Sequence, residues 1–205
     1  MSLFPMFLKL ENRDCLVVGA GTIAEPKIRS LLVAGARLRV IAPEARPAVK
    51  EWARLGVIAW EERTFEAKDC DGAFLVVAAT SLPEVNEAVF SEAKQREVLC
   101  NAVDDPERCD FYYAALVRRG DLQVAISTGG QSPALAQRLR RDIEARISPE
   151  YAGWVERLGK IRRRMLAGHL PPDRRRRLLH RLASQRAFEA RRATRLRQGA
   201  QSGAL

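Results

Sequence analysis

Through the first hundred residues, short runs rich in apolar residues, the first and fourth of them wholly apolar, alternate with stretches in which apolar residues return every three or four positions. "CLVVGAG" (15–21), "RLRVIAP" (37–43), "VIAWEE" (57–62), "GAFLVVAAT" (72–80) and "VLCNAV" (98–103) read as strands. Between them, "IAEPKIRSLLVAGA" (23–36), "RPAVKEWARLG" (46–56) and "PEVNEAVFSEAKQRE" (83–97) read as helices, the first stopping at Gly35 and the second at Gly56. Strands that are apolar on both faces and separated by helices predict a parallel sheet covered on both sides, an α/β fold.

The rhythm changes after residue 110. "FYYAALVRRGDLQVAIST" (111–128) predicts two strands joined by a turn at Arg119-Gly120-Asp121. A Gly129-Gly130 turn follows, then a helix that starts at Ser132-Pro133 and carries Leu135, Leu139 and Ile143 on one face. From Ser148 onward the composition is helical, interrupted by "GHLPPD" (168–173), and the closing "RQGAQSGAL" is expected to fray. The pattern divides the chain into an α/β domain over 1–112, a strand-and-helix segment over 113–147 and a basic helical domain over 148–205.

Charge sharpens that division. The chain carries a net +10, unevenly spread. Residues 1–137 hold 16 basic and 19 acidic side chains, a net of −3, whereas residues 138–205 hold 19 basic and 6 acidic ones, a net of +13. A nearly neutral module is thus joined to a basic one, which points to an anionic partner for the second. The tail from 173 to 197 has Leu178, Leu179, Leu182 and Phe188 at helical spacing, enough to dock one face. It has no interleaved aromatics and no nucleic-acid motif, so nucleic acid is not favoured as the partner. No apolar run reaches 18 residues, so no membrane span is expected. "MSLFPMFLKLENRD" lacks the apolar core and cleavage site of a secretory leader, and the expectation is a cytoplasmic protein. Cys15, Cys70, Cys100 and Cys109 form no C-x-x-C pair and read as reduced, buried thiols; with only His169 and His180 beside them, no metal site is expected.

The candidate chemistry begins at "VVGAGTIA". Gly19-x-Gly21-x-x-Ala24 follows a strand and opens a helix, the context that a dinucleotide-binding loop requires. Gly19 permits the tight turn, Gly21 lets the backbone approach a pyrophosphate, and Ala24 lets helix and strand pack closely. Thr22 and Ile23 sit at the helix start, whose free N–H groups and positive dipole end suit phosphates. Pro43 and Glu44 close the second strand; a carboxylate 25 residues after Gly19 suits ribose hydroxyls and repels a 2′-phosphate, favouring NAD, although Arg46 stands nearby. Thr80, at the end of the fourth strand, joins the cofactor-binding candidates. Asp104 and Asp105 follow the fifth strand at once, either as turn residues or with one of them in a chemical role.

"CLVVGAGTIAEPK", "GARLRVIAPE", "AAT…N" (78–86) and "NAVDDPERCDFYYAALVRRGDLQVAISTGGQSPALAQRLRRDIE" together resemble the precorrin-2 dehydrogenase family, the NAD-dependent module of siroheme synthases that is often also a ferrochelatase. The resemblance covers residues 3–147. It implies a Rossmann domain, a segment that exchanges strands and helices with a second copy in a homodimer, and a small helical domain. It implies oxidation of precorrin-2 to sirohydrochlorin by NAD, with ferrous iron inserted afterwards in bifunctional members to give siroheme. The family's aspartate after the fifth strand falls on Asp104, which leaves Asp105 and Pro106 to set the turn.

That tetrapyrrole carries eight carboxylates, so Arg118, Arg119, Arg138, Arg140 and Arg141 are candidates to hold it, with Ser127 and Thr128 as hydrogen-bonding partners. Thr128 matches a position that is serine, and open to modification, in some members. Pro26 stands where the family has arginine before Lys27, and Ala114 where it often has proline. With the chain ending at 205, the methyltransferase domain fused to some siroheme synthases is not expected. Two rival readings share the fold: a non-enzymatic NAD-sensing module, and another NAD-dependent oxidoreductase. The second lacks a Tyr-x-x-x-Lys pair or a histidine in residues 1–168.

Overall fold

A computed structural model describes residues 3–202, with side chains to Thr194. The chain divides into two compact units, Met1–Tyr113 and Ala114–Leu205. The first holds β1 (Asp14–Val18), α1 (Ala24–Val33), β2 (Arg37–Ile41), α2 (Pro47–Arg54), β3 (Ala59–Glu61), β4 (Leu75–Ala78), α3 (Pro83–Gln95) and β5 (Leu99–Ala102). The five strands pair in parallel in the order β3-β2-β1-β4-β5. This is the Rossmann-type α/β fold that the alternation predicts. Each strand is shorter than the run that predicts it.

Side-chain alternation explains why the central strands are largely apolar on both faces. Cys15 and Val17 of β1 point into the layer with Ile28 and Leu31 of α1 and Val49 of α2. Leu16 and Val18, one position away, point into the layer with Val89 and Ala93 of α3. Successive residues of a strand face opposite sides, so a sheet covered twice has no polar face to spare. The order of the strands also makes β1 and β4 diverge in their connections, which opens a crevice at their carboxyl ends.

After β5 the chain reverses. Asn101 forms an antiparallel bridge with Cys109, and its Nδ2 donates to the carbonyl of Phe111 at 2.8 Å. The Cys100 N–H donates to Asp110 Oδ2 at 2.9 Å. This return lays Phe111 and Tyr113 on the α1 side of the core. Residues 111–114 were expected to begin a strand; Phe111 and Tyr113 instead pack their rings against the core of the first unit, and β6 starts at Ala115.

The second unit opens with the antiparallel pair β6 (Ala115–Arg119) and β7 (Leu122–Ile126), with Gly120 and Asp121 at the turn. α4 (Pro133–Arg146) starts under the Ser132 hydroxyl, which accepts from the Leu135 N–H at 3.3 Å. α5 (Tyr151–Ala167), α6 (Pro172–Leu182) and α7 (Gln185–Ser202) complete it. The α5–α6 break falls at Gly168–Pro171, within "GHLPPD". Phe188 is buried, stacked 4.2 Å from Tyr151 and edge-on at 5.9 Å to Trp154, while Leu178, Leu179 and Leu182 are half-buried. α7 runs through residues 197–202 of the stretch expected to fray; residues 203–205 of it lie outside the described residues. No helix among the described residues is long and apolar enough to cross a membrane.

One carboxylate is buried beneath the amino ends of the strands. Asp69, 1% exposed, accepts from Arg63 at 2.7 and 2.8 Å, from Arg39 at 3.2 Å and from the Glu66 N–H at 2.9 Å. Burial acts to raise its pKa, but the Arg63 and Glu66 hydrogen bonds and the charges of Arg63 and Arg39 outweigh that and hold it below the ordinary 3.8. A carboxyl depressed on folding stabilises fully above its unfolded pKa and ceases to do so as pH falls through the folded value. Asp69→Ala is therefore expected to cost about 2–3 kcal/mol at pH 7, with the gap to wild type closing below roughly pH 4, as measured by urea melts at several pH values.

The four thiols are free; Cys15, Cys70 and Cys100 are buried and Cys109 is half-buried. Burial pushes the Cys15 and Cys70 thiols up to about 11 and that of Cys100 to about 12. Iodoacetamide at pH 8 is expected to label Cys109 slowly and the other three only after unfolding, as read by peptide mass mapping.

Candidate functional site

The glycine loop leaves β1 at Val18. The Gly19 N–H donates to the Ile41 carbonyl at 2.8 Å, and its φ of +107° is a conformation that side chains resist. A Cβ on Gly19 would stand 2.3 Å from the carbonyl oxygen of Ala79, where the chain leaves β4. Gly21 differs: its φ is ordinary, it is exposed, and a Cβ there would meet nothing within 4 Å. Its missing side chain leaves open space on the loop's outer surface. Thr22 and Ile23 are exposed beside it, and α1 begins as the Glu25 N–H donates to the Gly21 carbonyl at 3.0 Å. Ala24 is fully buried between α1 and the sheet. In the first turn the Glu25 N–H is taken by Gly21 and Pro26 has none, so the helix offers a ligand the Ala24 N–H and the positive end of its dipole.

Pro43 and Glu44 are exposed just past β2. Arg46 turns back onto the loop: its Nε donates to Glu25 at 2.9 Å, its Nη1 to the Thr22 hydroxyl at 3.3 Å, and its N–H to the Ala20 carbonyl at 3.1 Å. At the β4 exit, the Thr80 N–H donates to Asn86 Oδ1 and Asn86 Nδ2 donates to the Thr80 carbonyl, both at 3.2 Å. Asn86 thus fixes Thr80 from the first turn of α3.

The two aspartates after β5 separate cleanly. Asp105 is bonded to Arg108, its carbonyl accepts from the Arg108 N–H at 3.1 Å, and it precedes a 3-10 turn at Pro106–Arg108. Asp104 is exposed, has a φ of +62°, and makes no side-chain hydrogen bond or ion pair among the described residues. Its carboxylate is free at the carboxyl edge of the sheet.

Comparison with known proteins follows this geometry. Residues 6–115 match a family model described as putative NAD(P)-binding, and residues 119–146 match one described as sirohaem biosynthesis protein central. The chain belongs to the NAD(P)-binding family of siroheme biosynthesis proteins. It is similar to siroheme synthase 3 of Aeromonas hydrophila, 42% identical over 183 residues, which are 89% of this chain and 39% of that protein. It is similar to the siroheme synthase of Methylococcus capsulatus, 41% identical over 177 residues, 86% of this chain and 37% of that protein. The chain spans about two fifths of the length of these curated relatives. Among solved structures, SirC, precorrin-2 dehydrogenase, superposes with a TM-score of 0.78 at 28% identity, covering 89% of this chain and 90% of that one. The cofactor of this NAD(P)-binding module is a nicotinamide dinucleotide, and its loop fits one: Gly21 is bare, and the α1 N-terminus is open.

The sirohaem central segment lies in the second unit. Thr128 Oγ1 accepts from the Ser132 N–H and Ser127 Oγ from the Gly129 N–H, both at 3.1 Å, so both hydroxyls brace the glycine turn before α4. Arg138 is exposed on α4 and reaches Asp142 at 3.8 Å. Arg118 is exposed on β6 next to the hairpin turn, at the opposite end of the ribbon from Ser127, so these two candidates are not brought together. Arg119 is committed elsewhere: it donates to the carbonyls of Ile147 at 3.0 Å and Glu144 at 3.1 Å, closing the carboxyl end of α4. Arg140 is paired with Glu144.

Sequence reasoning quoted Asn86 and Lys27 only within the family resemblance and gave neither a role, and it gave Arg46 only that of offsetting Glu44. The Asn86 signal was its place three residues into a helix beginning at Pro83; nothing local marked Lys27.

The two glycines separate fold from binding. Gly19→Ala is expected to cost about 3 kcal/mol or more through overlap and positive φ. Gly21→Ala is expected to melt near wild type yet bind NAD roughly tenfold or more weakly, about 1.4 kcal/mol. Thermal melts and calorimetric titration check both.

Proposed function

We propose that this module oxidises precorrin-2 to sirohydrochlorin in siroheme biosynthesis, using NAD, with Asp104 as the proton acceptor. The observation that carries the reading is the free Asp104 carboxylate at the carboxyl edge of a sheet whose glycine loop is open to a dinucleotide. The neighbouring carboxylate, Asp105, is already spent on Arg108. In the oxidation the macrocycle gives up a hydride and a proton. Bound NAD supplies the two-electron acceptor for the hydride. Asp104 takes the proton, and its exposure lets the proton pass on to solvent. The left-handed backbone at Asp104 turns the chain out of the sheet and leaves the carboxylate clear of the Asp105 turn.

Glu44 lies exposed past β2, where it would repel a 2′-phosphate, and Arg46 is engaged with Glu25 and Thr22. Both features support NAD over NADP. The same Asp104 carboxylate is suited to receive pyrrole protons as ferrous iron enters as a substrate, which would make the module a ferrochelatase as well. The homodimer belongs to this proposal. β6 and β7 pair only with each other among the described residues, so each offers a free edge for a second copy. Arg118, Arg138, Ser127 and Thr128 are proposed to meet the carboxylates of the tetrapyrrole, and the net +13 of residues 138–205 to attract it. A cytoplasmic location completes the proposal.

Anaerobic incubation with precorrin-2 and NAD is expected to give the absorbance of sirohydrochlorin with one NADH formed per macrocycle. Asp104→Asn, which tolerates a positive φ, is expected to keep NAD affinity and lose about 100-fold in turnover. Unaltered turnover in that variant would remove Asp104 from the mechanism. Intact NAD binding by the wild-type protein without any oxidation would favour the NAD-sensing module instead. Adding ferrous iron or cobalt to the product in a separate assay tests the chelatase half.

A further inference from the structure

Lys27 is a charged side chain of the crevice that neither the glycine loop nor Asp104 accounts for. It stands at the end of the first turn of α1, half-buried, with Nζ 3.7 Å from the centroid of the Tyr113 ring. Burial pushes its ammonium below the ordinary value, while the nearby Asp104 and Cys109 act in the opposite direction. Among the described residues its Nζ makes no hydrogen bond and no salt bridge. Other cations around the crevice are spent: Arg46 on Glu25, Arg108 on Asp105 and Glu87.

Helix stability does not explain this placement. A cation near a helix N-terminus is disfavoured by the dipole, and burying an amine without acceptors is costly. The ring face offsets part of that cost but leaves N–H donors unused. The surroundings fix which half of the crevice Lys27 serves. Asp104 and Cys109 follow β5, and Tyr113 ends the returning segment. Glu44 and Arg46 lie on the far side, past β2. Lys27 therefore belongs to the half that contains the proposed proton acceptor, away from the ribose carboxylate.

We propose that Lys27 is a substrate-anchoring residue whose ammonium, held on the Tyr113 ring, binds a side-chain carboxylate of the polyanionic tetrapyrrole and so fixes the edge presented to Asp104. This rests on the tetrapyrrole reading above. It assigns Asp104 and Lys27 complementary tasks: one accepts a proton from the macrocycle, the other grips the periphery.

The test compares Lys27→Met, which keeps the apolar stem against Tyr113, with Lys27→Arg, which restores the charge. Uroporphyrin III, an octacarboxylate tetrapyrrole, serves as the binding probe by fluorescence, precorrin-2 as the substrate, and NAD affinity with thermal melting as the check on folding. Lys27→Met is expected to bind uroporphyrin III about tenfold or more weakly and to raise KM for precorrin-2 by a similar factor. Its kcat is expected to stay within about threefold, its NAD affinity to hold, and Lys27→Arg to recover most of the loss. Should Lys27→Met not fold, Lys27→Gln carries the same comparison. Unchanged porphyrin affinity and KM in a folded, charge-free variant overturn the assignment. So does a parallel loss of NAD affinity, which would put the ammonium on the cofactor. Porphyrin binding that depends on Lys27 without turnover would sink the dehydrogenase reading and leave the anchor standing. Turnover with a KM indifferent to Lys27 would do the reverse.

Discussion

The carboxyl edge of the sheet depends on one main-chain contact. Where β1 and β4 end, the backbone at Gly19 runs against the carbonyl of Ala79 so closely that a single added carbon would overlap it. That approach brings the glycine loop, the Thr80–Asn86 clamp and the end of β5 into one rim. The Ala79 N–H donates to the Val18 carbonyl at 2.8 Å and the Val103 N–H to the Ala78 carbonyl at 2.9 Å, so the parallel ladder continues to the rim itself. Gly21, two residues on, carries no such burden, and its bareness is available to a ligand. The two glycines of one loop thus differ: Gly19 is required by the packing of the sheet, and Gly21 is not.

The same rim sorts charges by whether they are already satisfied. Asp105, Arg108, Glu25 and Arg46 are bound to one another in local pairs. Exposed pairs of this kind add little stability, but they remove those groups from the chemistry. Asp104 and Lys27 are left with capacity to spare, one as an acceptor and one as a donor. The bottom of the sheet shows the opposite arrangement, with Asp69 saturated by Arg63, Arg39 and a main-chain N–H. One end of the domain is saturated, and the other keeps groups without partners among the described residues.

The second unit follows a different logic. Its buried apolar side chains are fewer, Val117, Ala115 and Ala136 on the hairpin and α4, and Trp154 and Phe188 with Tyr151 on the helices that follow, and its arginines mostly face outward. Some have structural work, as Arg119 does at the end of α4. A strongly basic surface of that sort draws anions from a distance and is weakened by salt.

Sequence by itself determined the order of strands and helices, the parallel sheet and the glycine loop, because strand alternation and helical spacing are local signals that burial on two faces makes unmistakable. It also singled out Asp104 by family resemblance and Gly19 by its context. Only the tertiary structure decided that Asp105 is consumed by Arg108, that Phe111 and Tyr113 cover the core instead of extending β6, that Arg119 closes a helix, and that Lys27 meets the Tyr113 ring across some eighty residues of chain. The physical reason is that such contacts join residues far apart in sequence: no periodicity records them, and they arise only when the return after β5 lays one segment over another.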